Sequence, residues 1–175
     1  FSFQTCYCTV EDNKMFLPKD DMGQNWIRFW QKPRMTKNWR IALLRYFNPA
    51  GSHTSGLIGE NPNICPKNLF PLIVKTALKE QTKLSIFGKN WPTKNGTCIR
   101  DFIHVTDLAS AHLATINLLI SSKPQIISLN IGTGKGYSVL EVIETFKRVN
   151  NISVPYIFQE RRIGDHYYAV ANNEL

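Results

Sequence analysis

Residues 126–146 read IISLNIGTGKGYSVLEVIETF. An apolar run, IISLNIG (126–132), meets a glycine-rich turn, Gly132-Thr-Gly134-Lys-Gly136, and then Ser138-Val-Leu-Glu141. Those last four residues spell a capping box, in which a serine and a glutamate satisfy orphan amides at a helix start. Val139, Val142, Ile143 and Phe146 follow at helical spacing. The stretch reads as a buried strand, a tight turn and an amphipathic helix.

The same grammar extends outward on both sides. IALLRYF (41–47) is a short buried strand stopped by Asn48-Pro49. A long loop rich in Gly, Asn and Pro (52–66) leads to a helix over 68–81, with Leu69, Leu72, Ile73, Thr76 and Ala77 on one face. LSIFG (84–88) is a strand. A helix begins at Thr106 or Asp107, burying Leu108, Ala111, Leu113, Ile116 and Leu119. VPYIFQ (154–159) is a last strand before the loop Arg161–Asp165. Strands separated by helices give an α/β fold with a mainly parallel sheet.

Composition bounds the class. The chain has 175 residues, 43% apolar and 19% charged, the balance of one globular domain. No apolar run approaches the length of a membrane span, and the N-terminal FSFQTCYCTVEDNK is not a signal peptide. Four scattered cysteines do not make a disulfide framework. A soluble cytoplasmic protein is expected. The net charge is +8, and five of its cations (Arg28, Lys32, Arg34, Lys37, Arg40) fall within residues 22–40, interleaved with Trp26, Phe29, Trp30 and Trp39. Such an arm suits stacking on bases, but one short basic run reads better as a solvated arm resting on the domain.

Several motifs are tempting. The glycines at 132–136 have the context of a phosphate cradle but the spacing of neither the dinucleotide fingerprint nor the P-loop, so a tight turn is the preferred reading. His104 beside Asp101 and Asp107 could form an acid/base pair, against the plainer reading of a loop histidine. Asn95-Gly-Thr97 and Asn151-Ile-Ser153 match the glycosylation sequon. Arg100-Asp101 and Arg161-Arg162-Ile-Gly-Asp165 carry the arginines and carboxylates that clamp a diphosphate and a ribose diol.

Five words occur in one order across about residues 39–175: LLRYFNPAGSHTSGLIGENP (43–62), NLFP (68–71), LSIFGKNWPTKNGTCIRDFIHVTDLASAHLA (84–114), LNIGTGKGYSVLEV (129–142) and RRIGDHYYA (161–169). Together they resemble the UDP-glucose 4-epimerases, extended short-chain dehydrogenase/reductases. The resemblance implies an incomplete doubly wound, Rossmann-like parallel sheet plus the small α/β substrate-binding region. It implies interconversion of UDP-glucose and UDP-galactose, in galactose metabolism, through transient hydride transfer to NAD. Tyr46 and Phe47 would lie near the nicotinamide, and Asn48 would hold the sugar diphosphate. Asn68 and Leu69 would open a helix that meets the nucleotide, and Ser85 and Phe87 would line the uracil slot. Arg100 and Arg162 would grip the phosphates, and Asp165 the ribose. A UDP-hexose is the implied partner, with a homodimer for full-length members.

The departures define two segments. Residues 41–175 match the C-terminal, nucleotide-sugar-binding half, whereas 1–40 match poorly. No G-x-x-G-x-x-G loop occurs, and none of the six tyrosines has a lysine four residues on, so no catalytic residue is assigned. The expectation is a partial epimerase chain, inactive alone, with a non-catalytic UDP-sugar-binding remnant as the alternative and a nucleic-acid binder using 22–40 as a weaker one.

Overall fold

The computed structural model describes residues 4–11, 14–16, 38–60, 66 and 68–173. The basic arm lies outside the described residues except for Asn38, Trp39 and Arg40. In chain order the elements are β1 (Gln4–Glu11), β2 (Lys14–Phe16), β3 (Arg40–Tyr46), β4 (Asn48–Ala50), α1 (Leu69–Ala77), β5 (Leu84–Phe87), β6 (Ile99–His104), α2 (Val105–Ser121), β7 (Gln125–Ile131), β8 (Gly136–Ser138), α3 (Val139–Asn150), β9 (Tyr156–Gln159) and β10 (Tyr168–Ala169).

The α/β class is observed, the described residues forming three small sheets. The first has the order β2-β1-β3-β7, the second runs β10-β6-β4 with β8 also on β6, and the third pairs β5 with β9. β3 with β7, β4 with β6, β5 with β9 and β6 with β10 are parallel, as their helical or long connections require. The antiparallel pairs β1–β2, β1–β3 and β6–β8 qualify the mainly parallel expectation. A strand also runs through residues 4–11, where the sequence shows little periodicity.

Asn48-Pro49 ends β3 without ending extended backbone. Only Phe47 separates β3 from β4, so the chain leaves the first sheet and enters the second at that residue. Pro49 is tolerated because β4 is a three-residue terminal strand of its sheet.

Each helix buries the face its sequence offers. In α1, Ile73 and Thr76 are buried, and they pack with Leu84, Ile86, Ile143 and Val154. This helix stops at Ala77, short of the expected Gln81, because Lys79 takes a left-handed φ of 62°; Gln81 then folds back, its Nε2 donating to the Leu72 carbonyl. In α2, Leu119 joins Ala42 and Leu44 in the other core cluster, with Ile116, Ile127 and Leu129 against it. Leu113, expected inside, is 61% exposed. It stands two residues from the buried Thr115, a rotation of about 200° that carries it to the far face. Leu118 and Ile120 are exposed with it.

Arg40 is part of this scaffold: its Nε donates to the Ser122 carbonyl at 2.6 Å, tying the end of α2 to the start of β3. His104 is the N-cap of α2, its Nδ1 accepting the Thr106 amide at 3.3 Å. Gly51, with φ of +87°, packs so close that a Cβ would strike the His104 ring.

Asp101 is fully buried and points away from His104, on the opposite face of β6. The acid/base pairing of the two is therefore not made. Its Oδ1 accepts from the Thr133 amide at 2.9 Å and the Thr133 hydroxyl at 2.6 Å. Its Oδ2 accepts from the Gly134 amide at 2.9 Å and the Ala171 amide at 3.2 Å. The glycine turn that follows β7 is thus filled by a carboxylate of the chain itself, which settles the tight-turn reading. Gly132 is required there, since a Cβ would lie 2.6 Å from both Ala171 Cβ and Asp101 Oδ2.

The capping box at α3 is present in full: Glu141 N donates to Ser138 Oγ at 3.2 Å, and Ser138 N donates to Glu141 Oε2 at 2.7 Å. Both sequons have structural roles. Asn95 Nδ2 donates to Ser138 Oγ at 2.6 Å, and Asn151 is the left-handed C-cap of α3.

Two predictions follow from these anchors. Asp101→Asn replaces one acceptor oxygen by a donor facing amides, and should lower stability by about 3 kcal/mol in urea unfolding. The Glu141 carboxyl is held below its ordinary value, mainly by the Ser138 amide and then by the Ser138 hydroxyl. A depressed folded value contributes stability that is present above the ordinary glutamate range and lost as pH falls through the folded value. Glu141→Gln should flatten that acid-side decline while lowering stability at neutral pH, which unfolding curves taken from pH 3 to 7 would register.

Candidate functional site

β6 organises the site through simple alternation. Arg100, Phe102 and His104 share one face, and Ile99, Asp101 and Ile103 the other. Arg100 and Phe102 are therefore neighbours about 7 Å apart along the strand, and each meets a different group of partners.

Phe102 packs edge-on against Phe70 of α1, with ring centroids 5.4 Å apart. Beside this pair lies a crevice of about 110 Å³ lined by Phe47, Asn48, Asn68, Leu69 and the two rings. The sequence-derived candidates Phe47, Asn48, Asn68 and Leu69 are thus brought together. Asn48 stands opposite Phe102 in the β4–β6 ladder and is exposed. Asn68 is the N-cap of α1, but its side chain makes no capping bond. The first-turn amides of α1 open at this crevice, and such amides favour an anion. Tyr46 ends β3 and lies 6.3 Å from the His112 ring, outside the crevice lining.

Arg100 collects the second group. Only 9% exposed, it donates from Nη1 to the Ile99 carbonyl at 2.8 Å, and its Nη2 is 3.9 Å from Asp165 Oδ1. Asp165 closes the turn after β9 by donating its amide to the Arg162 carbonyl at 3.2 Å. Gly164, with φ of +82°, supplies the left-handed bend. Arg162 lies over Phe87, its guanidinium carbon 3.7 Å from the ring centroid. Stacking leaves the in-plane donors of an arginine directed outward. The guanidinium covers one face of Phe87, so a base cannot use that face. Ser85, two residues earlier on β5, is half-buried opposite Ile157.

Cys98 precedes Arg100 by two residues and is buried. Burial pushes its thiol up, Arg100 pulls it down by less, and Asp165 pushes it up again. It is a packed thiol rather than a nucleophile.

Sequence reasoning missed Phe70 and Phe102, although the i, i+2 spacing of Arg100 and Phe102 was a usable signal. It also missed Asn90 and Trp91, whose contacts with Arg161 join elements 71 residues apart. Among the described residues no group of three His, Cys, Asp or Glu could hold a metal, and no helix is long and apolar enough to cross a membrane.

Comparison with known proteins gives this geometry its context. The UDP-glucose 4-epimerase of Bacillus subtilis (strain 168) is 49% identical over 127 residues, covering 73% of this chain and 37% of that protein. The UDP-glucose 4-epimerase of Dictyostelium discoideum is 47% identical over 127 residues, with the same shares. The structure of the UDP-glucose 4-epimerase from Bifidobacterium longum in complex with NAD+ and UDP matches with a TM-score of 0.79 at 36% identity, over 94% of this chain and 50% of that one. That of the Stenotrophomonas maltophila enzyme with bound NAD and formylated UDP-arabinopyranose matches with a TM-score of 0.72 at 44% identity, over 75% and 39%. The chain thus spans between about a third and a half of these relatives' lengths. The NAD dependent epimerase/dehydratase family model matches residues 28–132, and the chain belongs to that family.

Proposed function

We propose that this chain forms the nucleotide-sugar side of a UDP-hexose 4-epimerase site. The observation that carries the reading is the approach of Arg100 on β6 to Asp165, in the turn that also carries Arg162 on Phe87, while Phe102 of the same strand face lines a crevice at the N-terminus of α1. In this reading Arg100 and Arg162 hold the two phosphates, since guanidinium groups offer paired donors to phosphate oxygens. Asp165 accepts from the ribose diol, because its long 3.9 Å separation from Arg100 leaves acceptor sites on the carboxylate. Asn48, Asn68 and Leu69 meet the sugar diphosphate at the crevice. Ser85 and the β5 backbone read the uracil, with Phe87 supporting Arg162 from below.

NAD belongs to the proposal through the family. Its fit to the described residues is poor, because the glycine turn after β7 already spends its amides on Asp101. Tyr46 and Phe47, at the carboxyl end of β3, are the residues assigned to approach the nicotinamide, and no step through the cofactor is drawn from them. The 175 residues carry no Tyr-x-x-x-Lys pair to move the 4-hydroxyl proton. The proposal is therefore a polypeptide of residues 1–175 that binds UDP-hexoses without converting them, as the nucleotide-sugar region 41–175 of a cytoplasmic, homodimeric epimerase. A nucleic-acid role for 22–40 is disfavoured by Arg40, whose guanidinium is engaged at the end of α2.

Calorimetric titration tests the binding. UDP should bind with a Kd below about 1 mM, and Arg162→Ala should weaken it at least about tenfold. Unchanged affinity in Arg162→Ala would overturn the assignment. In a coupled assay the 175-residue polypeptide supplied with NAD should give no UDP-glucose from UDP-galactose above a blank; measurable turnover would show a catalytic group outside those assigned.

A further inference from the structure

Two consecutive arginines follow β9, and their side chains take different routes. Arg162 stacks on Phe87. Arg161 stacks on Trp91, 4.0 Å from the ring centroid, and donates to Asn90 Oδ1 from Nε at 3.1 Å and from Nη2 at 2.8 Å. It also donates to the Asn90 carbonyl. Trp91 is itself fixed, with its indole N–H on the Phe87 carbonyl at 3.3 Å and its amide on the Gly96 carbonyl at 3.0 Å. Gly88, with φ of +82°, makes the room: a Cβ there would run into the indole nitrogen and come within 3.0 Å of Arg161 Cγ. Asn95 then bonds this loop to Ser138 at the start of α3.

The turn carrying Arg162 and Asp165 is anchored to its neighbours by backbone bonds at its two ends. The Gln159 carbonyl accepts from Gly88 at 2.9 Å, and the Tyr167 carbonyl accepts from Ile99 at 2.8 Å. Between them the turn closes on itself through Asp165 and Arg162, and Ile163 is fully exposed. Ligand groups on such a turn must be held in place by side chains if they are to meet a ligand without an ordering cost.

We infer that Arg161 is a positioning residue. Its fork on Asn90 and its stack on Trp91 pin the 161–165 turn to the rigid 88–97 loop, which sets Arg162 over Phe87 and Asp165 beside Arg100. The inference rests on the UDP reading only for its effect on affinity. A lysine offers one point charge and no planar fork, so it cannot make both contacts.

Hydrogen exchange of residues 160–166 and UDP titration, run on the same 175-residue polypeptide, test it. Arg161→Ala should speed exchange across 160–166 while leaving 99–121 unchanged, and should weaken UDP about tenfold. Arg161→Lys should recover only part of both. Asn90→Ala keeps the charge of Arg161 and should still loosen the same segment, whereas a purely electrostatic role would leave that variant like the wild type. Unchanged exchange in both Arg161→Ala and Asn90→Ala would overturn the inference. So would unchanged UDP affinity in Arg161→Ala when Arg162→Ala abolishes binding. If the wild type binds no UDP, the functional reading fails by itself, and the exchange measurement alone decides whether Arg161 positions the turn.

Discussion

The carboxylate of Asp101 ties the second sheet to the turn that leaves the first. It grows from β6 in the second sheet and accepts four hydrogen bonds, from the turn that leaves β7 in the first sheet and from Ala171 near the far end of the described chain. A carboxylate has about four acceptor sites, and all of them are used. Without this group the amides of Thr133, Gly134 and Ala171 would be left around a buried gap, each at a cost of about 1–3 kcal/mol. The position of β6, and of Arg100 on its other face, follows from that anchor.

Much of this was legible in the sequence where a local rule decides the outcome. The capping box at Ser138 and Glu141 is a short-range pattern, and the helix begins where the pattern says. The strands at 41–47, 84–88 and 126–132 were visible as apolar runs, and each is observed to within a residue. The sequence did not reveal what long-range contacts settle. Nothing local says that Asp101 rather than an anion fills the glycine turn 32 residues away. Nothing local separates Arg161 from Arg162, whose fates depend on Trp91 and Phe87. Leu113 shows the limit of counting apolar residues, because a helix has room for leucines on its exposed face.

The candidate site shows the same division. Residue types adequate for a nucleoside diphosphate were evident, two arginines and an aspartate. Their convergence was not, since it requires β5 to pair with β9 so that Phe87 comes opposite Gln159 just before the arginine pair. Phe102 and Phe70 escaped notice because aromatic residues in an apolar run look like core. Here their edge-on contact forms a wall of the crevice.

A strand that serves both purposes constrains what can change. Along β6, Arg100 meets Asp165, Phe102 lines the crevice and His104 caps α2, while Asp101 and Ile103 face the packed interior. A one-residue slip would exchange the two sets and put an arginine where a carboxylate receives four donors. The parallel pairing with β4 and β10 and the antiparallel pairing with β8 hold the register from both edges. Gly136 enforces it further, because a Cβ there would meet Ile99 at 2.5 Å. The glycine turn thus contributes to the candidate site indirectly, by fixing the strand on which Arg100 stands.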